Sequence, residues 1–170
     1  LTEFISSTAD ISECGTWRYT LTRMWSKFAP PLPVIMVNPS TADAEVLDPT
    51  ITRVLGFAQR EGFGGILIAN LFALRSTDPA GLKRAENPIG PRNDATLRAV
   101  LAGSPLYGIP VLVGWGKNGR LFDRDRAVLA IAAEEGAALV CLGANGDGTP
   151  KHPLYLAADT PFQRFTGERP

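Results

Sequence analysis

At 170 residues the chain is long enough for one well-buried domain and too short for two of ordinary size. A hydrophobic fraction of 45% against 20% charged residues excludes a disordered chain. Lysine plus arginine and aspartate plus glutamate number 17 each; this zero net charge argues against a protein that coats nucleic acid non-specifically, while leaving room for a local basic groove.

Cys14 and Cys141 are the only cysteines, too few for a disulfide framework or an iron–sulfur cluster. They read as reduced thiols of a cytoplasmic protein. One histidine and no ligand spacing lead us to expect no metal and no cofactor. No apolar run reaches the length of a bilayer and no signal-peptide pattern opens the chain, so no membrane partner is expected. Leu1 is not an initiator methionine, so the sequence leaves open whether residues precede it.

In chain order, Thr16 to Trp25 alternate as a strand or hairpin, with Trp17, Tyr19, Leu21 and Trp25 on one side and Arg18, Thr20 and Thr22 on the other. A proline-rich break from Pro30 to Pro33 leads into Val34-Ile35-Met36-Val37, a short β-branched run typical of a strand buried on both faces. Asp48-Pro49 predicts an N-cap and first turn, opening a helix that turns Ile51, Val54, Leu55 and Ala58 inward and ends near Gly62. Gly65 to Ala69 is a second buried strand, and Asp78-Pro79 a second cap. A helix over Asn93 to Ala102 buries Leu97, Val100 and Leu101. Pro110 to Val113 is a third strand, Leu121 to Glu135 a helix with Val128, Leu129 and Ala132 inward, and Ala138 to Leu142 a fourth strand. The rest is proline-rich coil. No internal repeat is visible.

Alternating strands and helices at this spacing predict one α/β domain over 1–170, a three-layer α/β/α sandwich on a central, mainly parallel four-stranded sheet. In such sheets ligands bind beyond the carboxyl ends of the strands. Four segments therefore matter: Asn38-Pro39-Ser40-Thr41-Ala42-Asp43, Asn70-Leu71-Phe72-Ala73-Leu74-Arg75, Gly114-Trp115-Gly116-Lys117, and Gly143 with Lys151-His152-Pro153-Leu154. Each has a purely structural alternative. Either asparagine can be a turn residue bonding its own backbone, and a lone histidine is commonly just a hydrogen-bonded surface group. Trp115 can be core and Gly116 a helix start. Asp48 and Asp78 read as caps, Arg53 and Arg60 as a solvated helix face, and Trp25 and Phe162 as core. The convergence of Asn38, Asn70, Gly116 and His152 on one rim favours a polar site.

Residues 34–156 resemble the uracil-DNA glycosylase superfamily motif by motif. Val34 to Pro39 is similar to its strand ending in Asn-Pro or Asp-Pro, whose first member positions the attacking water. Gly65 to Asn70, followed by Leu74-Arg75, resembles the strand whose final asparagine reads the base edge. Leu112 to Gly116 resembles the strand with a Trp-Gly ending, and His152-Pro153 the motif whose histidine stabilises charge on the departing base. The whole chain also resembles domain of unknown function family 1643, through its Asn-Pro-Ser-Thr-Ala-Asp and Asn-Leu-Phe-Ala segments.

The superfamily resemblance implies a glycosylase-like fold and hydrolysis of an N-glycosidic bond of a base in DNA or in a nucleotide. On that reading Asn38, His152 and Asp43 are catalytic, and Asn70, Ser40, Trp115 and Gly116 bind the base. Arg75, Lys117, Lys151 and Leu154 meet phosphate or DNA, Leu154 as a wedge. Two departures stand out: Leu154-Tyr155 follows His152-Pro153 in place of the serine usual in active DNA glycosylases, and Ser40 stands where some members carry a bulky tyrosine. The second predicts a pocket that admits 5-substituted bases. The alternatives are a module of the same fold that binds a nucleobase or nucleotide without cutting, and an unrelated α/β enzyme using Asp43 and His152 as an acid–base pair.

Overall fold

The computed structural model describes residues 3–40, 48–78 and 80–168. Its strands are β1 (Ser6–Ile11), β2 (Arg18–Met24), β3 (Pro31–Met36), β4 (Gly65–Asn70), β5 (Val111–Val113), β6 (Leu139–Cys141) and β7 (Gln163–Arg164). Its helices are α1 (Pro49–Arg60), α2 (Ala80–Arg84), α3 (Asn93–Tyr107) and α4 (Arg124–Glu134). The strands form one mixed sheet in the order β1-β2-β4-β3-β5-β6-β7. This corrects the expected four-stranded sheet to seven strands. Neighbours from β4 through β3 and β5 to β6 pair in parallel, while β1, β2 and β7 are antiparallel additions at the two edges. The region read as a strand or hairpin over 16–25 is the single strand β2, whose hairpin partner β1 lies upstream of it.

Alternation along the inner strands sorts the core onto two faces. Val34, Met36, Ile66 and Ile68 pack against Ile51, Val54, Leu55, Phe57 and Ala58 of α1. Ile35, Ala69, Val111 and Val113 pack against Leu82, Leu97, Leu101, Val128 and Ala132 from the other three helices. Helices therefore cover both sides of the sheet. Among the described residues no helix is long and apolar enough to cross a membrane.

Asp48 caps α1 as expected: its Oδ1 accepts from the Ile51 N–H at 2.7 Å, with Pro49 in the first turn. Other boundaries moved. Strand β3 starts at Pro31, inside the supposed break, although proline is rare in central strands. The reason lies in the ladder. Met36 faces β4, since its carbonyl accepts from Leu71, and Ile35 faces β5, since its carbonyl accepts from Gly114. By alternation the missing N–H groups of Pro31 and Pro33 point toward β5, whose paired residues are Val34 and Ile35, so the prolines sit outside the paired stretch.

The helix expected from Leu121 opens instead as a 3₁₀ turn over Lys117–Asp123, broken from α4 by left-handed φ angles of 56° at Phe122 and 52° at Asp123. Helix α3 continues past Ala102 to Tyr107 because Ser104 is buried, its hydroxyl accepting from the Ala138 N–H at 3.0 Å. Arg60 is exposed and Arg53 half-buried, and both do more than meet solvent. Arg53 donates to the Leu156 carbonyl and Arg60 to that of Ala158 at 2.7 Å, fastening the carboxyl-terminal segment over α1. That segment is more than coil, since it holds a 3₁₀ turn at Pro153–Tyr155 as well as β7.

Candidate functional site

Asn38, Ser40, Asn70 and His152 line one pocket of about 220 Å³ at the carboxyl ends of β3 and β4, closed on one side by the start of α1. The parallel pairing puts Met36 beside Asn70, so both asparagines emerge from adjacent strand ends. The end of β4 is held from behind. Buried Asn93 donates to the carbonyls of Asn70 at 3.0 Å and Leu71 at 2.9 Å, and the buried Arg124 Nε donates to Leu71 at 2.8 Å.

The Asn38 side chain is clamped. Its Nδ2 donates to the carbonyls of Ser76 at 2.8 Å and Pro39 at 3.0 Å, which leaves Oδ1 as the acceptor it presents. Asn70 differs. Its residue surface is 2% exposed, yet its amide makes no hydrogen bond to the described residues although it lines the pocket. Its oxygen and nitrogen both keep contact with the open pocket, where a ligand can bond them.

His152 precedes the 3₁₀ turn, and its Nδ1 accepts from the Leu154 N–H at 3.3 Å. The neutral ring therefore carries its proton on Nε2. Burial pushes the imidazole below its ordinary value of 6.5, and the charge of Asp48 only partly offsets this, so the ring is neutral at pH 7. Asp48 itself lines the pocket while capping α1, and its Oδ2 accepts from the Ser40 hydroxyl at 2.9 Å.

Glycine lets the histidine turn reach the strand end. A Cβ on Gly114 would lie 2.9 Å from Pro153 Cδ, and Gly116, at φ 64°, would bring its Cβ within 3.7 Å of that of His152. Gly114→Ala is thus expected to displace the Pro153 turn, costing about 1–3 kcal/mol of stability. Urea unfolding of the variant checks this, and an unchanged midpoint would refute the close packing.

The remaining predicted site residues are placed differently. Trp115 is 2% exposed and packs edge-to-face on Phe165 with ring centroids 6.0 Å apart, in the core and away from the pocket lining. Arg75 is half-buried and donates to the Gly15 carbonyl at 3.2 Å, toward the β1–β2 connection. Lys117 and Lys151 are exposed, Leu154 is half-buried, and neighbouring Tyr155 is 83% exposed with its ring 5.9 Å from that of His152. Asp43 lies outside the described residues. No three His, Cys, Asp or Glu among the described residues stand where they could hold a metal ion.

Arg18 was missed. Simple alternation puts it opposite Leu21, on the side of Thr20 and Thr22. In the structure it is 3% exposed and lines the pocket with Met36, Val54 and Ile68, residues of the α1 face that Leu21 also joins. The cause is an irregularity in the β1–β2 ladder: Asp10 pairs with Thr20 and Ile11 with Arg18, so Tyr19 is an extra residue and the strand changes face.

The family DUF1643, described as a protein of unknown function, matches residues 18–154. The chain belongs to this family. The matched span opens on Arg18 and closes just after His152, so it contains every residue that lines the pocket. No curated protein and no solved structure matches the chain.

Proposed function

We propose that the pocket takes a single nucleobase and that the protein hydrolyses the N-glycosidic bond of a modified base, in DNA or in a nucleotide. The observation that carries this reading is the Asn70 amide, which offers one donor face and one acceptor face to the pocket with no partner among the described residues. A pyrimidine edge supplies the complement to both. The volume of about 220 Å³ suits one substituted ring and lies below the range of about 300–1,000 Å³ typical of drug-sized ligands. The likeness of the four strand-end segments to uracil-DNA glycosylase motifs supports the same reading and a fold of that type.

In this mechanism the C1′–N bond breaks with its electron pair leaving on the base. His152 Nε2–H donates to the base oxygen on which charge builds, an oxyanion-hole role. Asn38 Oδ1 accepts from a water on the opposite side of the sugar and orients its oxygen toward C1′. The water's proton ends on the base nitrogen, giving free base and a hydroxylated sugar. A base in a duplex is first flipped out, at a cost of a few kcal/mol. Ser40, small and turned to Asp48, leaves room beside the ring for a 5-substituent. Lys117, Lys151, Arg75 and Leu154 are the residues proposed to meet the strand.

A specific observation favours a second reading, recognition without cleavage. Asp48 is the carboxylate lining the pocket among the described residues, and both of its oxygens are already engaged, by the Ile51 N–H and by Ser40. Asn38, an amide, is a poor general base. On that view the same contacts bind a base and stop there.

A mass-spectrometric screen separates the two. DNA containing uracil, thymine mismatches or 5-substituted pyrimidines, and free nucleotides, are incubated with the protein and with Asn38→Ala. Released base that vanishes in the variant is the expected result, with 5-substituted pyrimidines among the substrates. Tight binding without release supports the second reading. Run at two salt concentrations, the screen also tests the strand contacts, because phosphate-dependent affinity falls steeply with salt.

A further inference from the structure

We infer that Arg53 is a positioning residue for His152, bracing the histidine turn against α1 so that the imidazole presents Nε2–H to the pocket. Its place in the chemistry rests on the base-release reading above, whereas the placement of the ring stands without it. The turn at Pro153–Tyr155 is too slight to hold itself. It is a single 3₁₀ turn, closed by the Leu156 N–H donating to the Pro153 carbonyl at 3.2 Å, and the Leu154 N–H reaches His152 Nδ1 at 3.3 Å. Both bonds lie at the long end of the ordinary range, and 3₁₀ geometry is itself poor. The other charged or titratable groups around the ring are Asp48 from α1, Arg18 from β2 and Tyr155 from its own turn. None of them is a hydrogen-bond partner of the imidazole among the described residues. The orientation of the ring therefore depends on what holds the turn.

Arg53 holds it. Its Nη2 donates to the carbonyl of Leu156, the residue whose N–H closes the turn. A charged donor makes the stronger kind of hydrogen bond. The donor is itself held, because Arg53 is half-buried and its guanidinium lies 5.5 Å over the ring of buried Phe57. Helix α1 is fixed in turn by its Asp48 cap and its buried face, and it lines the pocket through Thr50, Ile51 and Val54. One helix thus supplies a wall of the pocket and the brace on His152, so ring and wall keep one spacing. Arg60 differs. It bonds the chain farther on, at Ala158, and shares its guanidinium with Glu61.

Histidine NMR on the untagged, isotope-labelled chain tests the inference, because His152 is the single histidine and its ring signals are unique. The wild type should show Nε2–H as the dominant neutral tautomer, with a titration midpoint below 6.5. Arg53→Met keeps a long apolar stem on Phe57 but has no donor. It should give a mixture of the two neutral tautomers and a midpoint moved up toward 6.5 as water reaches the loosened ring. Its kcat for base release should fall about tenfold to a hundredfold with KM little changed, the penalty of a misplaced reacting group. Arg53→Lys should restore much of both, and Arg60→Met should match wild type. Should Arg53→Met not fold, Arg53→Gln, too short to reach Leu156, is read in the same way. An Nδ1–H tautomer in the wild type, or a variant that loses stability while its histidine signals stay as in wild type, overturns the role of Arg53. Shifted histidine signals with no base release by any form of the protein uphold the brace and overturn the base-release reading alone.

Discussion

His152→Ala is expected to lower kcat for base release by about 10²–10³ with little change in KM, the effect of removing one donor aimed at developing charge. The ring suits that role because its protonation state is fixed by its surroundings. Leu154 donates to Nδ1, which commits the proton to Nε2, and burial keeps the ring neutral. A neutral donor strengthens its bond only as the base becomes anionic, so it stabilises the transition state more than the bound substrate. His152→Gln can still donate from its amide and should lose less. A uniform rise in KM with unchanged kcat would show that His152 only binds, and would remove it from the chemistry.

The same residue gives a stability signature. Its value in the folded protein lies below the ordinary 6.5, so the unfolded chain takes up the proton first as pH falls. The neutral ring's contribution is therefore complete above about pH 6.5 and declines as pH falls from there toward the lowered folded value. In acid, Nδ1–H would also face the Leu154 N–H, placing two donors together. Urea midpoints measured between pH 7 and pH 5 should fall less in His152→Gln than in wild type. A parallel fall in both would detach this linkage from His152.

Trp115→Ala is expected to cost about 3–5 kcal/mol, a large part of the ~5–15 kcal/mol that holds a domain together. Trp115 is 2% exposed, meets Phe165 edge-on, and lies so close to Gly119 that a Cβ there would fall 2.1 Å from its ring. Trp115→Phe should cost much less. The indole Nε1 is buried with no hydrogen-bond partner, so the exchange removes an unsatisfied donor along with part of a ring. Urea unfolding measures both variants. Paired with base binding by Trp115→Phe, it also tests the residue's place in the site: a stable variant that has lost the ligand would return Trp115 to the base-binding set.

Much of the frame was legible in the residues. Val34 to Met36, Gly65 to Ala69, Val111 to Val113 and Leu139 to Cys141 are short apolar runs, and such runs can only be buried strands or pieces of buried helix. Asp48-Pro49 set the start of α1, because capping is local chemistry between residues three apart. From those strand ends followed the positions of Asn38, Asn70 and His152, which the structure gathers into one pocket. Local pattern carries this information because side-chain period and capping involve only near neighbours in the chain.

Tertiary structure decided the rest. β1 carries mostly exposed residues and β7 only two, so neither has an apolar pattern, and each exists through pairing with a distant strand. Asn38 looked like a turn residue bonding nearby backbone, and it does bond Pro39, but the donation that fixes its rotamer goes to Ser76, 38 residues away. Trp115 took a place in the core because Phe165 and Gly119 close around it. Arg18 is the plainest case. Period-two alternation put it on the outer face, and one extra residue against β1 moved it into the pocket. A bulge is a property of two paired strands, so no reading of one strand's pattern contains it.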